Sequence, residues 1–129
     1  MQMPSIPPNC TILVVEDSAS NFVQLARMLS SMGIFCEWKI SAYELGEFAN
    51  SLPHLNLILL DILLPFDDYS ALKKLHASEQ LKGIPLIAMA FEEYNFAENK
   101  VRVSDFDGFL SNPLNLESFQ DQISKFLCN

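Results

Sequence analysis

Acidic side chains follow two apolar runs of the chain, and these acids are the residues best suited to chemistry. Glu16 and Asp17 come directly after the run Thr11–Val15, and Asp61 comes directly after residues 57–60. Short apolar runs of this kind are typical of strands buried on both faces of a parallel sheet. Three carboxylates brought together repel one another unless a cation lies among them, and a hard divalent ion such as Mg²⁺ suits oxygen ligands. The alternative is that Asp17 caps the first helix and Asp61 caps a loop.

The elements that would position these acids alternate between strand and helix. We predict strands at 11–15, 34–38, 57–60, 85–89 and 108–110. The predicted helices begin at Asn21, at a Ser41 cap, at Asp67 or Asp68, near residue 92 and at Leu116. Gly33 and Pro53 end the first two helices. This alternation predicts an α/β fold, a doubly wound parallel sheet of five strands with helices on both faces.

Ligands of such sheets bind beyond the carboxyl ends of the strands. The first and third strands are neighbours in this architecture, so Glu16, Asp17 and Asp61 should converge on one pocket. Ala90 follows the fourth strand, and Asn112 follows the fifth. These five residues therefore define the predicted site.

The overall charge excludes several kinds of partner. The chain has 129 residues, with 16 acids against 8 bases and a formal net charge of −8. Such a surplus of acids disfavours direct binding to nucleic acid and to anionic membrane surfaces. No secretion signal and no apolar run long enough for a membrane span are visible, which favours a cytoplasmic protein.

We predict a single domain over residues 10–129. It follows a flexible leader at residues 1–9, which contains Pro4, Pro7 and Pro8. The three cysteines, Cys10, Cys36 and Cys128, are odd in number and widely spaced. A disulfide framework or a zinc site is therefore poorly supported, and incidental thiols in a reducing compartment are the simpler interpretation.

Three short segments together resemble a known family. They are Val14-Val-Glu-Asp17, Leu59-Leu-Asp-Ile-Leu-Leu-Pro65 and Gly108-Phe-Leu-Ser-Asn-Pro113. In this combination and spacing they are similar to the CheY-like receiver domain of bacterial two-component response regulators. The resemblance extends over nearly the whole chain and implies a flavodoxin-like (βα)5 fold with strand order 2-1-3-4-5.

The resemblance also implies roles for individual residues. Asp61 would accept a phosphoryl group from a histidine kinase or a phosphotransfer protein. Asp17 and Asp61 would ligate Mg²⁺ directly, Glu16 would act through water, and the backbone carbonyl of Leu63 would complete the ligands. Pro65 and Pro113 would shape the adjoining loops.

The resemblance further implies a stand-alone receiver that signals by protein–protein contact. A downstream partner would bind the face formed by the fourth helix, the fifth strand and the fifth helix. The protein would be a monomer or a weak homodimer, with neither nucleic acid nor a membrane as a direct partner.

Two positions depart from the family pattern. Ala90 stands where Thr or Ser is expected, and Asn112 stands where Lys is expected. Phe109 occupies the position of the switch aromatic, although it could equally be a plain core aromatic. The phosphate clamp is therefore incomplete, and the alternative is a pseudo-receiver, an interaction module whose output is independent of phosphorylation.

Enzyme interpretations fit less well, and we expect no enzymatic activity. Leu63 stands where a haloacid-dehalogenase-type phosphatase needs a second acid. Glu16 and Asp17 would repel the phosphate of a flavin bound in a flavodoxin-type site.

Overall fold

The sheet is built from apolar segments that alternate along the chain with amphipathic helices. The computed structural model describes residues 9–63, 77–79, 81–91, 105–111, 113 and 115–127. The elements in these residues are β1 (Thr11–Val15), α1 (Ala19–Ser31), β2 (Phe35–Lys39), α2 (Leu45–Asn50), β3 (Leu55–Asp61), β4 (Leu86–Ala90), β5 (Gly108–Ser111) and α3 (Leu116–Leu127).

The five strands are parallel and lie in the order β2-β1-β3-β4-β5. The predicted doubly wound fold and its strand order are thus confirmed. In the register of β1, Val15 lies opposite Lys39 of β2 and Leu60 of β3. The next residues, Glu16 and Asp61, are therefore brought to the same edge of the sheet.

The sheet is covered on both faces, which explains why its central strands are mostly apolar. On one face, Ile12 and Val14 pack in a cluster with residues of α1 and α3. On the other face, Leu13 and Val15 pack with Leu45 of α2. Because side chains alternate along a strand, the four buried residues of β1 that follow Thr11 must all be apolar to face both layers.

The start of α2 corrects the sequence-based expectation. The hydroxyl of Ser41 accepts a hydrogen bond from the Tyr43 N–H at 3.3 Å, which closes a turn. Glu44 has a left-handed φ of 52°, so a regular helix cannot pass through it. The helix therefore begins at Leu45, and the prediction of Ser41 as its cap is wrong.

The first helix begins two residues earlier than predicted, at Ala19. Ser18 is its N-cap, and the Ser18 hydroxyl accepts a hydrogen bond from the Asn21 N–H at 3.2 Å. Gly33 follows the helix with a φ of 77°, as expected of a glycine that ends a helix.

Other predictions fall on residues outside the described ranges, namely residues 1–8 of the leader and the predicted third and fourth helices. In the described part of the chain, no helix is long and apolar enough to cross a membrane. Cys10 and Cys36 form no disulfide, and burial raises the pKa of the Cys36 thiol to about 12. A thiol with so high a pKa is a poor nucleophile at neutral pH.

Candidate functional site

Three carboxylates meet at the carboxyl edge of the sheet. Glu16 and Asp17 follow β1, and Asp61 is the last residue of β3. One carboxylate oxygen from each residue lies within 4.8 Å of those from the other two. The parallel register of β1 and β3 causes this convergence, because both strands end at the same level of the sheet.

Glu16 is the most buried of the three acids, with only 1% of its surface exposed. Its Oε1 atom accepts a hydrogen bond from the Ser18 N–H at 3.0 Å. Its Oε2 atom is buried and has no hydrogen-bond partner among the residues that the structure describes. A buried polar atom without a partner is costly, so this atom marks a place where a ligand or a proton would be stabilised.

The protonation of Glu16 reflects this environment. Its pKa is raised from an ordinary 4.5 to about 8, chiefly because burial disfavours the charged form. The neighbouring Asp61 carboxyl raises the pKa further, whereas the hydrogen bond from the Ser18 N–H lowers it. Without a cation, Glu16 therefore holds a proton at neutral pH.

Asp61 is held by the turn that follows β3. It is 5% exposed, and its Oδ1 atom accepts a hydrogen bond from the Leu63 N–H at 2.8 Å. Asp61 thus caps a turn and also lies in the acidic cluster. Asp17, by contrast, does not cap α1, because that position belongs to Ser18. The structure therefore excludes the helix-cap alternative for Asp17.

The remaining predicted site residues are distributed as follows. Leu63 lies two residues beyond Asp61 with its side chain exposed, and its carbonyl remains a predicted ligand. Pro113 is buried in a turn after β5. Pro65 and Asn112 lie outside the described residues.

Ala90 ends β4 beside the acidic cluster. It is 3% exposed and belongs to a small apolar cluster with Ile62 and Ala88. Phe109 of β5 lies opposite Ala88 and packs against this cluster. Its packing agrees with a core aromatic, and its role as a switch stays a prediction. The end of β4 thus presents a methyl group where the family pattern places a hydroxyl.

Trp38 of β2 contacts the site, and the sequence reasoning missed it. Its indole N–H donates a hydrogen bond to the Glu16 backbone carbonyl at 2.7 Å. Its ring stacks on Phe22 of α1, with ring centroids 4.5 Å apart and planes 6° apart. The sequence could have indicated this contact, because Trp38 lies at the carboxyl end of a strand that pairs with β1.

Comparison with known proteins gives relatives along most of the chain, although no family model matches it. The polar-differentiation response regulator DivK of Brucella ovis is 26% identical over 118 residues, covering 91% of this chain and 95% of DivK. The two-component response regulator ORR5 of Oryza sativa subsp. japonica is 27% identical over 108 residues, covering 80% of this chain and 78% of ORR5. The chain is thus similar to response regulators over most of its length.

The chain shares its fold with solved receiver domains. The receiver domain of the sensor histidine kinase PA1611 from Pseudomonas aeruginosa PAO1 matches with a TM-score of 0.77 and 24% identity, covering 92% of this chain and 98% of that one. That structure has a magnesium ion coordinated in its active-site cleft. A chain from the co-crystal of the Saccharomyces cerevisiae phosphotransfer protein Ypd1 with the receiver domain of Ssk1 matches with a TM-score of 0.74 and 22% identity, covering 96% of this chain and 92% of that one.

The acidic cluster of this chain fits a hard divalent cation. All its donors are carboxylate oxygens, which is the ligand type that Mg²⁺ prefers. The Oε2 atom of Glu16 is a buried acceptor with no hydrogen-bond partner among the described residues. A bound cation would favour the ionised form of Glu16, so binding at neutral pH should release its proton.

Proposed function

We propose that Asp61 accepts a phosphoryl group from the phosphohistidine of a histidine kinase or a phosphotransfer protein, in a Mg²⁺-dependent phosphorelay. The observation that carries the proposal is the convergence of three carboxylate oxygens within 4.8 Å, with a buried acceptor left unsatisfied. The names of the relatives and the Ypd1–Ssk1 co-crystal support a partner of this kind.

In this proposal, Asp17 and Asp61 hold Mg²⁺ directly, Glu16 acts through water, and the Leu63 carbonyl completes the protein ligands. A bound Mg²⁺ supplies positive charge that offsets the charge on the phosphoryl group and orients it for in-line transfer. The magnesium site of the PA1611 receiver domain supports this assignment.

The Asp61 carboxylate acts as the nucleophile. One of its oxygens attacks phosphorus and forms the P–O bond of an acyl phosphate, while the P–N bond to the donor imidazole breaks. The imidazole nitrogen keeps the bonding electron pair, and the ring takes up one proton from solvent, so the donor residue is left as a neutral histidine. The hydrogen bond from the Leu63 N–H to Oδ1 fixes the carboxylate and leaves Oδ2 as the attacking atom.

The output would follow from protein contact. We propose that a downstream protein binds the face formed by the predicted fourth helix, β5 and α3, and that the receiver domain works in the cytoplasm without enzymatic activity of its own. The stand-alone arrangement and the state as a monomer or weak homodimer remain predictions.

One observation favours a second candidate, a pseudo-receiver that signals without phosphate. Ala90 places a buried methyl group beside Ile62 and Ala88, so the end of β4 has no hydroxyl to donate to a phosphoryl oxygen. The substitution of Lys by Asn112 points the same way. In this case the acidic cluster would serve the fold or a cation, and a partner would bind the unphosphorylated form.

Beryllofluoride separates the two candidates, because it mimics an acyl phosphate only on an ionised aspartate beside a divalent cation. Fluorine NMR of the protein with beryllofluoride and Mg²⁺ should show bound fluoride resonances. These should vanish in Asp61→Asn and on removal of Mg²⁺ with a chelator. Wild-type protein that shows no bound resonances at millimolar reagent would overturn the phosphoacceptor proposal in favour of the pseudo-receiver.

A further inference from the structure

Both backbone groups of Glu16 are held by the end of β2. The Glu16 N–H donates to the Lys39 carbonyl at 3.0 Å, which continues the β1–β2 ladder by one residue. The Glu16 carbonyl accepts from the indole N–H of Trp38 at 2.7 Å. Because β2 ends at Lys39, a side chain takes the place that a further strand residue would otherwise fill.

The accepting carbonyl belongs to the peptide bond that joins Glu16 to Asp17. A peptide group is planar, so a hydrogen bond to its oxygen fixes the orientation of the Cα atoms on both sides. The indole of Trp38 therefore acts, through this peptide group, on two of the three acids of the cluster at once.

Trp38 is itself held in place, through a closed ring of contacts. The Glu16 carboxylate accepts from the Ser18 N–H at 3.0 Å, and the Ser18 carbonyl accepts from the Phe22 N–H at 2.9 Å. The Phe22 ring stacks on Trp38, whose N–H returns to Glu16. A shift of the Glu16–Asp17 peptide would strain each of these contacts.

We propose that Trp38 is a positioning residue, which orients Glu16 and Asp17 for the cation and thereby sets the affinity of the acidic cluster for Mg²⁺. This inference rests on the proposed function, since it takes the cluster as a cation site. It adds a residue of β2, the edge strand, to a site otherwise built from the ends of β1 and β3.

The test compares Mg²⁺ affinity, measured by calorimetry well below the unfolding temperature, between wild type and Trp38→Phe. The variant keeps an aromatic ring for Phe22 but removes the N–H donor together with the second ring of the indole. We expect its affinity to fall about tenfold, as is typical when an outer partner of a metal ligand is lost. Phe35→Leu is the matched control, because Phe35 is an exposed aromatic of the same strand on the opposite face. It should bind Mg²⁺ as wild type does.

A spectroscopic readout separates positioning from a purely structural role. Trp38 is the one tryptophan of the chain, so its indole N–H gives a unique NMR signal. Titration with Mg²⁺ should shift this signal with the same midpoint as the calorimetric curve. Unchanged affinity in Trp38→Phe, or an indole signal that ignores Mg²⁺, would overturn the inference while leaving the proposed function intact. Wild-type protein that binds no Mg²⁺ would instead overturn the proposed function.

Discussion

Glu16 is the residue at which burial and charge conflict most strongly. Its carboxyl is 1% exposed beside Asp61, and a single backbone N–H stabilises its charge. The sequence predicts that Glu16, Asp17 and Asp61 meet, because each follows an apolar strand. It does not reveal which acid is buried, and it leaves Trp38 unconnected to the site. Those facts depend on side-chain directions that only the packed structure fixes.

The raised pKa of Glu16 predicts how stability without a divalent cation depends on pH. The folded protein binds the Glu16 proton more tightly than the unfolded chain between pH 4.5 and about 8. The stabilisation is therefore complete below pH 4.5 and is lost as pH rises through this window, by at most about 1.4 kcal/mol per pH unit. Denaturant unfolding in a chelator at several pH values measures this slope.

Glu16→Gln should flatten that pH profile, since the amide does not titrate. Glu117→Gln, on the exposed first turn of α3, is the control that should leave the profile unchanged. An equal slope in wild type and in Glu16→Gln would contradict the assignment of the titrating group.

A substitution at Ala90 tests whether a hydroxyl at the end of β4 strengthens the binding of a phosphoryl mimic. Ala90→Ser adds one hydroxyl at the end of β4, where the phosphoryl group of a modified Asp61 would need a donor. A hydrogen bond to a charged group contributes about 1.5–3 kcal/mol, so beryllofluoride affinity should rise about tenfold or more. Fluorine NMR titration measures the change.

Ala88→Ser is the matched control for this substitution, because Ala88 lies in the same cluster and on the same face of β4 but one pleat further from the site. It should lower the free energy of unfolding without changing beryllofluoride affinity. Equal affinities for wild type and Ala90→Ser would show that the missing hydroxyl is not what weakens the clamp.

At the scale of elements, the strands could be predicted to within one or two residues. Buried apolar runs such as Thr11–Val15 are typical of the central strands of a sheet that is covered on both faces. The start of α2 could not be predicted, because nothing in the sequence signals the left-handed φ of Glu44. The close approach of α3 to β5 was also not visible, although Gly108 was present at the start of that strand.

Gly108 permits this approach, and its replacement tests how tightly α3 packs. A Cβ atom at position 108 would lie 2.7 Å from Cε1 of Phe126 and 3.1 Å from Cδ1 of Ile87. Gly108→Ala should therefore lower the free energy of unfolding by about 1–3 kcal/mol, the usual range for overpacking. Denaturant unfolding of the single variant measures the loss.

A double-mutant cycle assigns that loss to the contact with Phe126. Phe126→Leu removes the ring atoms that the new methyl group would meet, so the loss caused by Gly108→Ala should shrink in that background. Additive effects of the two substitutions would mean that the destabilisation arises elsewhere in β5.

At the scale of the whole molecule, the net charge of −8 has a diffuse part and a local part. Most acids act together as a general field that any salt screens, whereas Glu16, Asp17 and Asp61 form a cluster that a divalent cation would bind specifically. The alternation of strands and helices predicted the topology, and the topology predicted the cluster. The contact of Trp38 with the Glu16 backbone, by contrast, could be identified only from the structure.

Because the acidic cluster would bind a divalent cation specifically, we expect Mg²⁺ to stabilise the protein more than NaCl does at equal ionic strength. Binding to the folded state alone contributes about 2.7 kcal/mol when Mg²⁺ is ~100 times its Kd. Thermal unfolding in the two salts measures the difference. Asp61→Asn should abolish it and, because the variant relieves repulsion within the cluster, should also raise stability without Mg²⁺. Equal stabilisation by the two salts would mean that the cluster has no cation site.

Phosphorylation of Asp61 is tested most directly by the intact mass of the protein after incubation with acetyl phosphate and Mg²⁺. Wild type should gain the mass of one phosphoryl group, and the modification should be lost on mild alkaline treatment, as expected of an acyl phosphate. Asp61→Asn, or wild type in a chelator, should gain nothing. A wild-type protein that remains unmodified, or an Asp61→Asn variant modified to the same extent, would show that Asp61 is not a phosphoacceptor.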